Sequence, residues 1–117
     1  MRIKSEFWVK AYVRRMAGQG AFATLIKRGD EDYGAVLVLV RHQDGTAALF
    51  GPAPTQGGPG IEGAERRFVR LHATPAVSED EAGTILDRQR RFDADAWVVE
   101  VEDRAGRHGL DLAEDHD

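Results

Sequence analysis

Apolar side chains recur near the start of the chain at helical spacing. Trp8, Val9, Tyr12, Val13 and Met16 share one face, while Glu6, Lys10 and Arg14 line another and include an i,i+4 Glu–Lys pair. The pattern predicts an amphipathic helix over 5–17, with Ser5 as N-cap, Glu6 matched to the helix dipole, and Gly18 and Gly20 ending it. The period then becomes extended. Strands are predicted at 22–28 and 34–41, separated by the polar turn GDEDY. The second of these, GAVLVLVR, is apolar on both sides, as befits a central strand covered on both faces or partly covered by a partner. Asp44-Gly45 signals a hairpin, so 46–50 is the return strand.

Residues 51–64 hold five of the 13 glycines and three of the four prolines, a composition that excludes a regular element. A loop of that length is functional or disordered. Its Gly58, Gly60 and Gly63 match G-x-G-x-x-G, but no strand leads in and no helix follows, so dinucleotide binding is not indicated. Residues 66–72 read as a further strand. Ser78 and Glu81 form a capping box for a second helix over 79–92, with Ala82, Ile85, Leu86, Gln89 and Phe92 on its apolar face. Residues 96–102 then alternate, with Trp97, Val99 and Val101 on one face and Glu100 and Glu102 on the other.

The order α-β-β-β-β-α-β defines an α+β class: a mainly antiparallel sheet of about five strands with two amphipathic helices. The first four strands are expected as a meander and the last, after its helical crossover, as a parallel neighbour. The chain is long enough for one domain, expected over 1–108, followed by an acidic, disordered tail over 109–117.

Composition narrows the classes. The longest apolar run, 35–40, is far short of a membrane span, which takes roughly 20 residues. The first residues lack a secretory signal, and there is no cysteine, so a soluble cytoplasmic protein is expected. The net charge is -4, but Asp111, Glu114, Asp115 and Asp117 all lie in the tail; setting them aside leaves 16 acidic against 16 basic residues. A neutral body makes nucleic acid an unfavoured partner.

Three groups carry candidate chemistry. Arg66, Phe68 and Arg70 alternate onto one strand face, where an aromatic between guanidinium groups suits stacking and anion binding. Phe68 as core, with the arginines paired to carboxylates, is the other reading, and the sequence leaves both open. Arg88, Arg90 and Arg91 crowd the end of the second helix, where the dipole alone accounts for them; should the crossover bring them beside Arg66 and Arg70, the two clusters form one anion site. Glu100 and Glu102 lie roughly 7 Å apart on one strand face, a spacing open to a cation or acid–base work but equally to a solvated face meeting arginine. None of the four histidines has metal-ligand spacing, so no metal and no cofactor are expected. Ser5 and Ser78 are both taken as helix caps, which disfavours a serine nucleophile.

KSEFWV at 4–9, GAVLVLVRHQDGTAALFGPAP at 34–54, ERRFVR at 65–70 and RQRRFDADAWVVEVEDRAGRH at 88–108 resemble a small bacterial family catalogued as domain of unknown function number 1491. The resemblance covers nearly the whole chain to residue 108 and implies one intact domain, with no activity or site residue to carry over. The expectation is an interaction module for a protein or a small anionic partner, with a homodimer left open. The alternative is an enzyme acting on a phosphorylated or nucleotide substrate through the Arg and Glu surface; the residues lean against it.

Overall fold

The computed structural model describes residues 3–54 and 66–113. Helix α1 (Ser5–Gly18) is followed by strands β1 (Phe22–Lys27), β2 (Val36–Arg41), β3 (Thr46–Pro52), β4 (Phe68–Arg70) and β5 (Val77–Ser78), then helix α2 (Glu79–Phe92) and β6 (Trp97–Glu102). The six strands form one sheet in the order β1-β6-β2-β3-β4, with the two-residue β5 paired to β3. All pairings are antiparallel except β2 with β6. The α+β class holds, with β5 as a sixth strand absent from the sequence reading.

The expected four-strand meander is corrected. β6 lies between β1 and β2, so among the described residues β1 joins the sheet by pairing with β6 alone. The reason is coverage. Trp97, Val99 and Val101 point to one face and Val98 to the other, and all four are buried. One face of β6 is wholly apolar and the other buries Val98, while Glu100 on that second face is taken up by Arg41 of the neighbouring β2, so the strand is accommodated inside a sheet covered on both sides. β1 exposes Phe22, Thr24 and Ile26 and tolerates the edge. The 28–34 turn locks this arrangement: Asp30 N–H donates to the Asp95 carbonyl at 2.9 Å, and Trp97 Nε1–H donates to the Asp30 carbonyl at 2.7 Å.

The helices take opposite faces. α1 lays Val9, Tyr12 and Met16 on Val36, Val38, Val40, Phe50, Phe68, Trp97, Val99 and Val101. On the other face Leu86 packs with Leu37, Ala96 and Val98, and Ala82 with Ala47 and Val77. β2 is thereby apolar on both sides because both sides are covered. α2 packs chiefly on β3, β5 and β2, which leaves β1 bare on that side.

Ser5 is not the N-cap. Lys4 occupies that position with no side-chain cap, and the first amides, of Ser5 and Glu6, donate to the carbonyls of Asp32 and Glu31. Ser5 is buried; its Oγ donates to the Gly34 carbonyl at 2.6 Å and accepts from Arg66 Nη2 at 2.9 Å, because a buried hydroxyl must be satisfied. Ser78 does cap α2, accepting from Glu81 N–H.

The segment expected to fray from residue 109 is docked as far as residue 113. Tyr12 Oη donates to the His108 carbonyl at 2.6 Å, Arg15 Nη2 to that of Gly109 at 2.9 Å, and Leu110 is buried. Gly109 has φ 63°, and a Cβ there would meet Met16 Sδ at 3.1 Å, so the crossing needs glycine. Beyond it Phe68 N–H donates to the Asp111 carbonyl and Ala113 N–H to that of Phe68, capping the outer edge of β4. The 51–64 loop and its glycine motif fall largely outside the described residues, as does the tail beyond 113.

Candidate functional site

β4 is shorter than the predicted 66–72 strand, although hydrogen bonds continue on either side, from Ala53 N–H to the Arg67 carbonyl and from Leu71 N–H to the Leu49 carbonyl, both 2.9 Å. Alternation does put Arg66, Phe68 and Arg70 toward one face, but that face is the one α1 covers. Phe68 is 2% exposed and packs 5.3 Å from the Trp8 ring, which itself stacks on Tyr12 at 4.9 Å. The reading of Phe68 as a stacking platform is therefore corrected: it is core. Arg66 is spent on the carbonyl of Ile3 and on Ser5 Oγ, tying β4 to the start of α1. Arg70 lies over the Phe50 ring at 5.3 Å.

A concavity of about 460 Å³ opens beside β4, lined by Phe68, Val69, Arg70, His72, Ala73, Leu112 and Ala113. His72 cannot serve there as a base. Its Nε2 accepts from Leu49 N–H at 3.0 Å, so Nδ1 carries the proton donated to the Thr74 carbonyl at 2.7 Å. His108 is also committed: Nδ1 accepts from Leu110 N–H, and the ring packs 4.9 Å from Phe50. Burial, with Arg70 and His42 nearby, holds its pKa below the usual histidine value.

The two arginine clusters do not meet. Arg66 and Arg70 belong to the β4 edge, on the α1 side, whereas the end of α2 reaches the β1 edge, where Lys27 Nζ donates to the Ala94 carbonyl at 2.9 Å. There Lys27, Arg90 and Arg91, with Asp87 and Ala94, border an open notch of about 390 Å³. Arg88 is exposed on the helix and does not line that notch. Lys27 is the member that sequence pattern could not supply. A β-bulge between Leu25 and Lys27 shifts the β1–β6 register and turns Lys27 to the α2 side, opposite Val98.

The acidic pair is split by its partners. Glu100 Oε2 accepts from Arg41 Nη1 at 2.8 Å, and Arg41 Nη2 reaches Glu79 Oε1 at 2.8 Å. The same contacts raise the Arg41 pKa, that with Glu100 most. Glu102 is exposed. Among the described residues no group of three or more His, Asp or Glu side chains is placed to hold a metal ion. Nor is any helix among them long and apolar enough to cross a membrane.

What the β1 edge does collect is exposed apolar surface. Phe22 is 76% and Ile26 51% exposed, and Phe92, expected on the buried face of α2, is 84% exposed at the helix end beside Lys27. Phe92 continues the apolar stripe past the last strand that α2 covers.

The model of a family described as a protein of unknown function, DUF1491, matches residues 3–111. The chain belongs to the DUF1491 family. Its fold recurs in solved structures of that size. The solution structure of an A. tumefaciens protein is 42% identical with a TM-score of 0.82, covering 99% of this chain and 98% of that one. A DUF1491 family protein from Caulobacter crescentus is similar in its NMR structure (37% identity, TM-score 0.80, coverage 97% and 99%). A crystal structure of a family protein from the same organism agrees (36%, 0.77, coverage 97% and 100%). No curated protein matches the chain. The family description assigns no activity. Of the sheet's two edges, β4 is closed by the chain itself, and β1 presents aromatic, aliphatic and cationic groups together.

Proposed function

We propose that this DUF1491 protein is a protein-interaction module rather than an enzyme, and that its contact surface is the β1 edge with the adjoining end of α2. One observation carries the reading: Phe22 and Ile26 are large, exposed apolar side chains on a strand that, among the described residues, is paired on one side only, and Phe92 is exposed at the end of α2. Scattered apolar residues are ordinary on a surface; a cluster rimmed by charge marks a contact. Lys27, Arg90 and Arg91 suit an acidic group of the partner. The sequence-based expectation of a cytoplasmic setting is kept with this reading.

The enzyme alternative has less support. It joined Arg66, Arg70 and Arg91 to Glu100 and Glu102, and these residues lie at different edges or are held by neighbours. The test is a photo-crosslinking residue at position 22 or 92, with exposed Gln43 as control. Discrete adducts from 22 and 92 but not from 43 are expected. Equal labelling from all three, or none from 22 and 92, rejects the surface.

A further inference from the structure

We infer that the occupant of this surface is a second copy of the same chain, joined through β1 in a two-fold antiparallel pair; the inference rests on the reading of β1 as the contact surface. β1 ends the sheet, so amide and carbonyl groups along its outer side have no strand to pair with among the described residues. An edge of this kind is a template for another strand. Nature usually blunts such edges with a bulge or a lysine. β1 has both, but the bulge is confined to Leu25–Lys27, and the Lys27 ammonium is tied back to the carbonyls of Arg28 and Ala94. From Phe22 to Leu25 the register is regular.

The charge pattern selects the partner. On the α2 side of the sheet Phe22 lies opposite Glu102, and Thr24 opposite Glu100. Lys27 stands at the other end with Arg90 and Arg91, three cations to the single carboxylate of Asp87 that shares their notch. Acid and base are thus separated along one strand by roughly 17 Å, five residues of rise. A two-fold axis at Thr24 reverses the second strand, bringing each acidic end to the other copy's basic end. The same axis sets Ala23 across from the second copy's Leu25 and brings Phe22 up to the second copy's bulge at Ile26. Residues directly opposite in an antiparallel pair share a face, and an axis through a residue keeps both α2 layers on the same side. Isologous contacts require a patch complementary to itself, and an edge with opposite charges at its ends meets that condition.

Sedimentation of the full chain over a concentration series at low salt is the direct test. A monomer–dimer equilibrium is expected. Phe22→Ser with Ile26→Ser should raise the dissociation constant at least tenfold, with the melting temperature of the monomer unchanged. A charge exchange makes the geometry specific. Glu102→Lys leaves both ends basic, and Arg90→Glu with Arg91→Glu leaves both ends acidic in excess. Each variant alone should associate more weakly than wild type, and a 1:1 mixture should form the mixed dimer in native mass spectrometry. A chain that stays monomeric at millimolar concentration overturns the inference, as does a dimer indifferent to the Phe22 and Ile26 changes. A monomer that still crosslinks a different protein from position 22 removes the second copy while leaving the contact surface in place.

Discussion

At the β4 edge the strand's outward amide and carbonyl are taken by the chain's own residues 111–113, and its aromatic, Phe68, lies under Trp8. At the β1 edge no strand is added among the described residues, and its aromatic, Phe22, stands 76% exposed. Both edge strands carry an aromatic and one basic residue. The difference lies in what passes over them. α1 runs across the face to which Phe68 points and Leu110 closes the end, whereas α2 stops short of the face to which Phe22 points. An Arg–Phe pattern therefore carries no functional meaning until the layer above it is known, and the closed edge is architecture while the open one is available.

The sharpest way to break this contrast is at the buried aromatic. Phe68→Ala should cost about 3–5 kcal/mol, by lost transfer energy and a cavity under Trp8. In a domain of this size that lowers the melting temperature by more than about 12 °C. A fall of only a degree or two would mean that the β4 edge is as open as the β1 edge.

Next in size is removal of the cap. Truncation after His108 deletes Leu110 and the two hydrogen bonds that Phe68 makes with 111–113. Burial of one leucine is worth about 1.5–3 kcal/mol, and each backbone bond about 1 kcal/mol. The truncated chain should melt on the order of 10 °C lower and expose the β4 edge. Unchanged melting would show that the segment adds nothing to that edge.

Acid should reach the same region through two groups. His108 accepts from Leu110 N–H and is half-buried with its pKa lowered from 6.5 by burial first, then by Arg70 and His42. The unfolded chain therefore binds the proton more readily, and stability is full above pH 6.5 and falls as the pH drops below it. Asp103 is held down to about 2 from 3.8 by the Arg107 guanidinium, with the backbone amides of Arg107 and Ala105 adding to it. Its contribution is present above pH 3.8 and is lost as the pH falls toward 2. Thermal melts against pH should show both windows. His108→Gln should flatten the first and Asp103→Asn the second; profiles identical to wild type would remove these groups from the account.

The smallest effect belongs to the open edge. Phe22→Ser and Phe92→Ser remove side chains that little covers, so stability of the monomer should stay within about 0.5 kcal/mol. A large loss in dilute melts would show that these aromatics are packed and that β1 is no freer than β4.

Much of the fold is legible along the chain. The i,i+3,i+4 stripe of α1, the Ser78–Glu81 box of α2, the Asp44-Gly45 hairpin and the alternation of Trp97, Val99 and Val101 are each written within a few residues. The candidate site was less so. Phe92 sits in register with the apolar face of α2, yet one turn beyond the sheet it covers. Lys27 joins Arg90 and Arg91 because of a bulge that no local pattern announces. Ser5 precedes a helix as an N-cap would, but its hydroxyl is turned inward to Gly34 and Arg66, residues far along the chain.

Element type, the Ser78 cap of α2 and the two-sided apolarity of β2 thus follow from short-range sequence, since backbone preference and side-chain period act over a few residues. Strand order, the placing of β6 between β1 and β2, the closure of one edge by 108–113 and the exposure of the other were decided by tertiary contact. Burial is a property of what lies opposite a side chain. Residues as distant as Tyr12 and His108, or Phe68 and Leu112, become neighbours only when the whole sheet assembles.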